Sequence, residues 1–323
     1  MYAITLDSFG GPEVMEWAEV PTVQAGPGEI RIRTIAAGVN RADLLQRRGL
    51  YPPPPGASEM LGLEATGVVD QVSEGVTRWR VGDQVGCLLG GGGYAEYVVA
   101  PARQVMPLPS GIDPVTAAGL IEVSCTVLSN FDRVHLSAGE TVLIHGGAGG
   151  IGSFAIQYAD ALGCRVLTTA GTDDKLAYCR DLGVDQAFNY HGDWAANVMM
   201  ATHDRGVDVI LDVVGAAYLE PNVSCLAQDG RLVVIGTQKG NRGTLDLGLL
   251  LRKCGTVTAT SLRSRSADFK GKIIEEVTER VWPLFESGRI TPAHETRLPM
   301  SQAARAHQLL ESGENMGKIL LVA

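Results

Sequence analysis

LIHGGAGGIG, residues 143–152, carries five glycines in its last seven positions. Glycine at that density weakens a strand or a helix, so something here requires bare backbone. The run TVLIH (141–145) just before it is apolar and β-branched enough for a buried strand. Behind it Ile151, Ala155, Ala159 and Leu162 recur at helical spacing, and Gly163 stops the helix. Gly147-x-Gly149-x-x-Gly152 therefore lies between a predicted strand and a predicted helix. In that setting the three glycines serve the tight turn, the approach of backbone to a pyrophosphate, and close helix–sheet packing. The helix N-terminus adds free N–H groups and a partial positive charge for phosphates. The stretch predicts a dinucleotide site; the alternative is a merely flexible turn.

The same strand–helix alternation continues outward. RVLTTA (165–170), QAFNY (186–190), VDVILDVVG (207–215), RLVVIG (231–236) and TVTATSL (256–262) are short apolar runs separated by helical stretches. Six strands so arranged predict an α/β domain with a doubly wound parallel sheet, covered on both faces. The first 120 or so residues read differently. EIRIRTIAAG (29–38) alternates, GVVDQV (67–72) and YAEYVVA (94–100) are β-prone, and Gly/Pro clusters separate them. YPPPPGAS (51–58) is an exposed loop, because proline suits neither a helix interior nor a central strand. A distorted antiparallel barrel is expected there. Past Leu262 the chain turns polar, then predicts a helix around 273–286, another near 301–311 and a buried strand KILLVA (318–323) returning to the N-terminal domain. The expected division is 1–121 plus 266–323 for the barrel domain and 122–265 for the dinucleotide-binding domain.

Composition removes several classes of function. Net charge is −9 and the pI about 5.2. Without a Lys/Arg tract, such a chain is a poor main partner for nucleic acid or an anionic membrane. No segment approaches the ~20 consecutive apolar residues of a membrane span. No positively charged region precedes an apolar stretch at the N-terminus, so no signal peptide is expected. The cysteines at 87, 125, 164, 179, 225 and 254 form no CxxC pair, which argues against a zinc knuckle or a disulfide framework. Cytoplasm is the expected compartment.

Which dinucleotide binds depends on the end of the second strand, where an NAD site places a carboxylate for the ribose 2′-OH. Here the chain reads Thr169-Ala170-Gly171-Thr172-Asp173-Asp174-Lys175. The strand end carries no acid. Thr172 suits a helix N-cap, with both aspartates in the first turn, where the dipole favours them. Lys175 in that turn opposes the dipole unless an anion sits in front. Gly171, Thr172 and Lys175 are therefore read as a 2′-phosphate site, with Tyr190 as a hydroxyl donor, and the cofactor as NADPH. The alternative keeps Lys175 as a solvated charge, lets Asp173 or Asp174 reach the ribose, and gives NAD.

AAGVNRADL (36–44), LGLEATGVV (61–69), VGDQVGCLLGGGGYAEYVV (81–99) and GGAGGIG (146–152) resemble the medium-chain dehydrogenase/reductase superfamily, which joins a GroES-like domain to a Rossmann domain. VNRADLLQRRGLYPPPPGAS (39–58), FNY (188–190), TSLRSR (260–265) and NMGKILL (315–321) look like its NADPH:quinone oxidoreductase branch, the tumour-suppressor-induced quinone reductases of animals in particular. That resemblance implies Asn40 and Thr126 near the nicotinamide ribose and Gly149, Gly150 and Ile151 along the pyrophosphate. It also implies Gly215 and Gly236 at strand ends, Leu262 over the nicotinamide, and Asn315 and Lys318 reaching in from the last strand.

The departures restrict the chemistry. The family's zinc enzymes take a Cys where this chain has Asn40, a His where it has Leu63, and a third ligand near Glu122. Catalytic zinc needs three protein ligands and an open position, so no bound metal is expected. Without a Lewis acid, simple alcohol oxidation loses transition-state help. A quinone, or an alkene conjugated to a carbonyl, accepts hydride with its charge delocalised. The expected acceptor is a small quinone in an interdomain cleft, touching Asn40, Tyr51 and Arg263, where Asn40 and Tyr51 would donate to the oxygen that gains charge; Tyr51 reads equally as a gate or as a simple exposed tyrosine. Glu64 reads as structural, Cys125 as packing and His145 as a core histidine. Two alternatives stay open: an enone or alkenal reductase at the same site, and a non-catalytic NADPH-binding protein of the crystallin or RNA-associated kind. The uncharged edge strand 256–262 predicts a homodimer.

Overall fold

A computed structural model describes all 323 residues. The strands are β1 (Tyr2–Leu6), β2 (Met15–Glu19), β3 (Glu29–Val39), β4 (Glu64–Val72), β5 (Gln84–Leu88), β6 (Tyr97–Pro101), β7 (Val105–Pro107), β8 (Thr141–His145), β9 (Arg165–Ala170), β10 (Gln186–Asn189), β11 (Val207–Asp212), β12 (Leu226–Val234), β13 (Thr256–Ala259), β14 (Glu295–Pro299) and β15 (Lys318–Val322). The chain forms two compact units, Met1–Cys125 with Leu262–Ala323, and Thr126–Ser261.

In the first unit a seven-stranded sheet runs β14-β15-β3-β4-β5-β7, with β6 also on β3. All its pairs are antiparallel except β14 with β15. β3 carries the alternation of EIRIRTIAAG, and Ile30 and Ile32 are fully buried. Its first half pairs with β6, its last residues with β15, and its register against β4 shifts twice. Such irregularities bend a strand, which lets one strand serve three neighbours around a barrel corner. The core gathers Ile4, Leu61, Tyr94, Val98, Ile319 and Leu321. KILLV is therefore a core strand, paired with β3 at Ile319↔Val39.

The second unit is a six-stranded parallel sheet, β10-β9-β8-β11-β12-β13. β8, at its centre, is buried at every position, as a strand covered on both faces must be. The helix Gly150–Ala161 follows it, and Gly163 stops it at φ +81°.

Two expectations need correction. The edge strand ends at Ala259, not at 262, because its partner β12 ends at Val234, opposite Ala259. The helix expected over 273–286 is two, Ala267–Arg280 and Trp282–Glu286. It starts earlier because Ser266 caps it by accepting from the Phe269 N–H, and Pro283 forces a fresh start by lacking an N–H. No helix is long and apolar enough to cross a membrane.

Candidate functional site

In the second unit the glycine loop joins β8 to the helix Gly150–Ala161. Its three motif glycines differ in what demands them. A Cβ at Gly147 would overlap Thr168 Oγ1 on β9, and one at Gly152 would overlap the Gly146 carbonyl. Both are required by the protein's own packing. A Cβ at Gly149 meets nothing closer than 3.5 Å, and its φ is an ordinary −82°. The protein makes no demand at Gly149, so its bareness suits something laid against it from outside. Gly149 is the N-cap and has no side chain to cap the first turn. The N–H groups of Gly150, Ile151 and Gly152 are left to an external acceptor. Loop and first turn thus fit the pyrophosphate of a dinucleotide.

Beneath the loop, the Thr169 carbonyl accepts from Gly146 and Gly147 N–H, at 3.1 and 3.0 Å. His145 is buried, with Nε2 2.7 Å from Asn222 Oδ1 and Nδ1 3.0 Å from Thr169 Oγ1. Burial pulls its pKa down to about 4, so it is a neutral core histidine. Asn222 donates onward to Asp212, which also accepts from the Val214 and Gly215 N–H groups. That carboxylate, pushed up to about 6 by burial, ties off the turn after β11. Gly215, at φ +84°, has no room for a Cβ against the Gly240 carbonyl and Thr237. Gly236 is similarly closed against Val213.

At the end of β9, Thr172 caps the helix Asp173–Asp181, its hydroxyl accepting from Lys175 N–H at 3.3 Å. Gly171 is fully committed, since the Tyr190 hydroxyl lies where its Cβ would be. Gly171, Thr172, Lys175 and Tyr190 therefore share one corner of this unit. Composition gave no signal for Lys239, whose ammonium lies 5.2 Å from the Tyr190 ring centre.

In the first unit the end of β3 and the starts of β4 and β15 bring Asn40, Glu64 and Lys318 together. Lys318 Nζ lies 2.7 Å from Glu64 Oε1 and 2.8 Å from Asn40 Oδ1. Asn40 Nδ2 donates to Glu64 Oε1 at 2.9 Å, and the Glu122 backbone N–H donates to Glu64 Oε2 at 2.8 Å. A Cβ at Gly38 would overlap Glu64, so the bare Gly38 backbone seats the carboxylate. Glu64 is 0% exposed and Lys318 5%. Ammonium only donates and carboxylate only accepts, so the Asn40 amide has one orientation. Its NH₂ is spent on Glu64, with the Gly38 carbonyl 3.4 Å away. That corrects the expectation of Asn40 as a donor to substrate: what it keeps is a lone pair on Oδ1. Glu64 is structural, bound to backbone and to a lysine.

This cluster also tests the zinc positions. Leu63 is a buried hydrocarbon, Asn40 an amide, and Glu64 a carboxylate already neutralised by an ammonium. Nowhere do three His, Cys, Asp or Glu side chains converge as a metal set. The donors present do not fit catalytic zinc.

Arg263 is corrected too. It is 6% exposed, and its guanidinium donates to the Gly90 carbonyl (2.8 Å), the Tyr51 carbonyl (2.9 Å) and Gln46 Oε1 (2.5 Å). It also stacks 5.1 Å from the Tyr51 ring centre. Arg263 thus fastens the proline loop to the helix Arg41–Arg47 and to the glycine stretch at 90. It holds Tyr51 rather than offering itself to a substrate. Gln46 completes the fastening by donating to the Glu59 carbonyl at 2.7 Å. Nearby Asp43 is wholly buried, accepting from the Asn40 and Gly62 N–H groups and the Tyr94 hydroxyl, and is pushed up to about 6. Cys125 is a buried thiol held well above its ordinary range, hence packing. Thr126 is buried with its carbonyl accepting from Asn130, Leu262 and Asn315 are half-buried, and Asn315 donates weakly to Gly317.

The family model "Alcohol dehydrogenase GroES-like domain" matches residues 26–110, and "Zinc-binding dehydrogenase" matches 150–279. A quinone oxidoreductase of Pseudomonas aeruginosa is 33% identical over 322 residues, 99% of this chain and 98% of that protein. A 2-haloacrylate reductase of a Burkholderia species is 31% identical, covering 99% of this chain and 98% of its own length. The crystal structure of Escherichia coli quinone oxidoreductase complexed with NADPH superposes with a TM-score of 0.91 at 30% identity, over the whole of both chains. Barrel unit, Rossmann unit and end-to-end similarity agree: the chain belongs to the medium-chain dehydrogenase/reductase superfamily.

Proposed function

We propose that the protein is an NADPH-dependent oxidoreductase that reduces small quinones without zinc. The observation that carries this reading is the buried Asn40–Glu64–Lys318 cluster, whose donors suit no Lewis-acid metal. It favours acceptors that spread the incoming charge over a conjugated system. The NADPH-bound quinone oxidoreductase structure supports the choice of cofactor and acceptor.

NADPH, when bound, supplies the hydride. The chain's residues bind and orient. Gly149, Gly150, Ile151 and Gly152 take the pyrophosphate; Gly171, Thr172, Lys175 and Tyr190 take the 2′-phosphate; Gly215 and Gly236 keep the strand-end turns close. In the first unit Asn40, its amide clamped, offers Oδ1 to a ribose hydroxyl, and Leu262 and Asn315 are further nicotinamide contacts; in the second unit Thr126 is one. Lys318 acts through Asn40, because its ammonium already has Glu64, Asn40 and the Val39 carbonyl as acceptors. Tyr51 donates to the acceptor oxygen that gains charge, and Arg263 positions Tyr51. Water supplies the remaining proton.

The 2-haloacrylate reductase relative favours one second reading, reduction of an activated alkene by the same residues. The experiment follows NADPH oxidation at 340 nm with a quinone, an enone and an aldehyde, with and without chelator. Quinone turnover unaffected by chelator is expected; turnover of the enone alone favours the second reading. Turnover abolished by chelator sinks the zinc-free site. Tight NADPH binding with no turnover returns the protein to a binding role.

We also propose a homodimer through β13, which has one sheet neighbour and so an open row of backbone groups. Light scattering at micromolar concentration should give twice the chain mass.

A further inference from the structure

Lys239 lies in the turn after β12, and its backbone is fixed. Its N–H donates to the Val214 carbonyl at 2.8 Å, its carbonyl accepts from the Ala217 N–H, and the Ala216 N–H donates to the Gly240 carbonyl. The turn packs so closely on Gly215 that a Cβ there would overlap it. From this fixed base the side chain makes no ion pair. Its ammonium lies instead over two aromatic faces, 5.2 Å from the Tyr190 ring centre and 5.9 Å from that of Tyr218. A lysine at a surface ordinarily extends into water or meets a carboxylate; aromatic faces hold its charge without neutralising it.

Tyr190 connects that charge to the end of β9. One end of its ring, the hydroxyl, lies against Gly171. One residue further on, the chain presents Thr172, Asp173, Asp174 and Lys175. Two carboxylates and one ammonium leave that turn with a net negative charge, a poor reception for a phosphate with nearly two charges of its own. One more cation makes the corner neutral.

We propose that Lys239 is a second phosphate-binding cation of the nucleotide site, reaching from the β12 turn to the 2′-phosphate held by Lys175 and Tyr190. It is a specificity residue for phosphorylated over unphosphorylated dinucleotide. The inference rests on the NADPH reading above. The two aromatic faces aim the ammonium before the nucleotide arrives, so less side-chain freedom is lost on binding.

Because Lys239 is exposed, its replacement should leave the fold intact. The test titrates the full-length protein with NADPH, NADH, 2′,5′-ADP and 5′-AMP, reading tryptophan fluorescence or heat, for wild type, Lys239→Gln and Lys239→Arg. Lys239→Gln should weaken NADPH and 2′,5′-ADP about tenfold and leave NADH and 5′-AMP within about twofold, while Lys239→Arg retains most of the affinity. No loss in Lys239→Gln, or an equal loss with all four ligands, overturns the assignment while leaving the NADPH reading in place. Wild type that binds NADPH no better than NADH overturns the phosphate site itself, whatever Lys239 does.

Discussion

The two units prepare their functional corners by opposite means. Around Asn40 the first unit fills space with its own ions: Asp43, Glu64, Arg263 and Lys318 are all buried, and each is matched to a partner. Around Gly149 the second unit leaves backbone bare and first-turn N–H groups uncapped. A filled corner fixes side-chain orientation at a cost in desolvation. A bare corner costs little until a ligand arrives. The first kind should therefore respond to mutation mainly through stability and acceptor geometry, the second through nucleotide affinity.

The largest effect should come from breaking the filled corner. Lys318→Met leaves the Glu64 carboxylate buried without its cation, which typically costs about 3–5 kcal/mol. Replacing both partners, in Lys318→Met with Glu64→Gln, should recover most of that loss. Urea denaturation of the two single variants and the double provides the cycle. If the losses simply add, the pair is not the coupled unit its geometry describes.

The bare corner divides within one motif. Gly152→Ala should cost on the order of 1–3 kcal/mol, because its methyl group meets backbone that cannot yield easily. Gly149→Ala should leave the melting temperature nearly unchanged yet weaken NADPH at least about tenfold, since the methyl group intrudes only on the ligand. Equal melting temperatures for the two variants would erase the distinction between glycines kept for packing and the glycine kept for binding.

A third test asks whether a buried group in the second unit behaves as those of the first do. His145 has a folded pKa of about 4 against an ordinary 6.5, so the unfolded chain binds the extra proton between those values. Its stabilising contribution is complete above pH 6.5 and is lost as pH falls toward 4. The stability advantage of wild type over His145→Gln should therefore shrink by on the order of 2–3 kcal/mol between pH 7.5 and 4.5. A pH-independent gap would mean that His145 takes up its proton in the folded protein as readily as in the unfolded chain, contrary to its buried, neutral hydrogen-bonding arrangement.

Much of this contrast was legible in the chain, and unevenly. The parallel sheet was readable because β8 to β12 are local apolar runs bounded by glycine and helical spacing. The glycine loop was readable because its residues are contiguous. The filled corner was not, since Asn40, Glu64 and Lys318 lie far apart in sequence and meet only through the register of β15 on β3 and β3 on β4. Gly38, at the end of an alternating strand, was the available hint, for a strand seldom keeps glycine without a close neighbour. Arg263 is legible by position but not by role. No pattern in a sequence shows that three hydrogen bonds to Gly90, Tyr51 and Gln46 occupy its guanidinium. Lys239 is not legible in the sequence, because the turn that carries it and the end of β9 are separated by two intervening strands of the sheet.

The smallest expected effect sharpens the comparison most, because it asks whether a buried ion can act on function without carrying the fold. Arg263 spends its hydrogen bonds on the proline loop and on Gln46 of one helix. Its removal should loosen Tyr51 while leaving the pyrophosphate and 2′-phosphate residues, which belong to the second unit, as they were. For Arg263→Lys the KM for a quinone should rise about tenfold, with the Kd for NADPH within about twofold of wild type. Lysine keeps the charge but cannot reach three acceptors from one planar fork, nor stack on the Tyr51 ring in the same way. A Tyr51→Phe variant separates the remaining possibilities. If Tyr51 donates its hydroxyl to the acceptor, Tyr51→Phe lowers kcat and Arg263→Lys on that background adds little. If Tyr51 only shapes the mouth with its ring, Tyr51→Phe is silent and Arg263→Lys keeps its full effect. A rise in the NADPH Kd for Arg263→Lys as large as the rise in KM would show that the two corners are not independent.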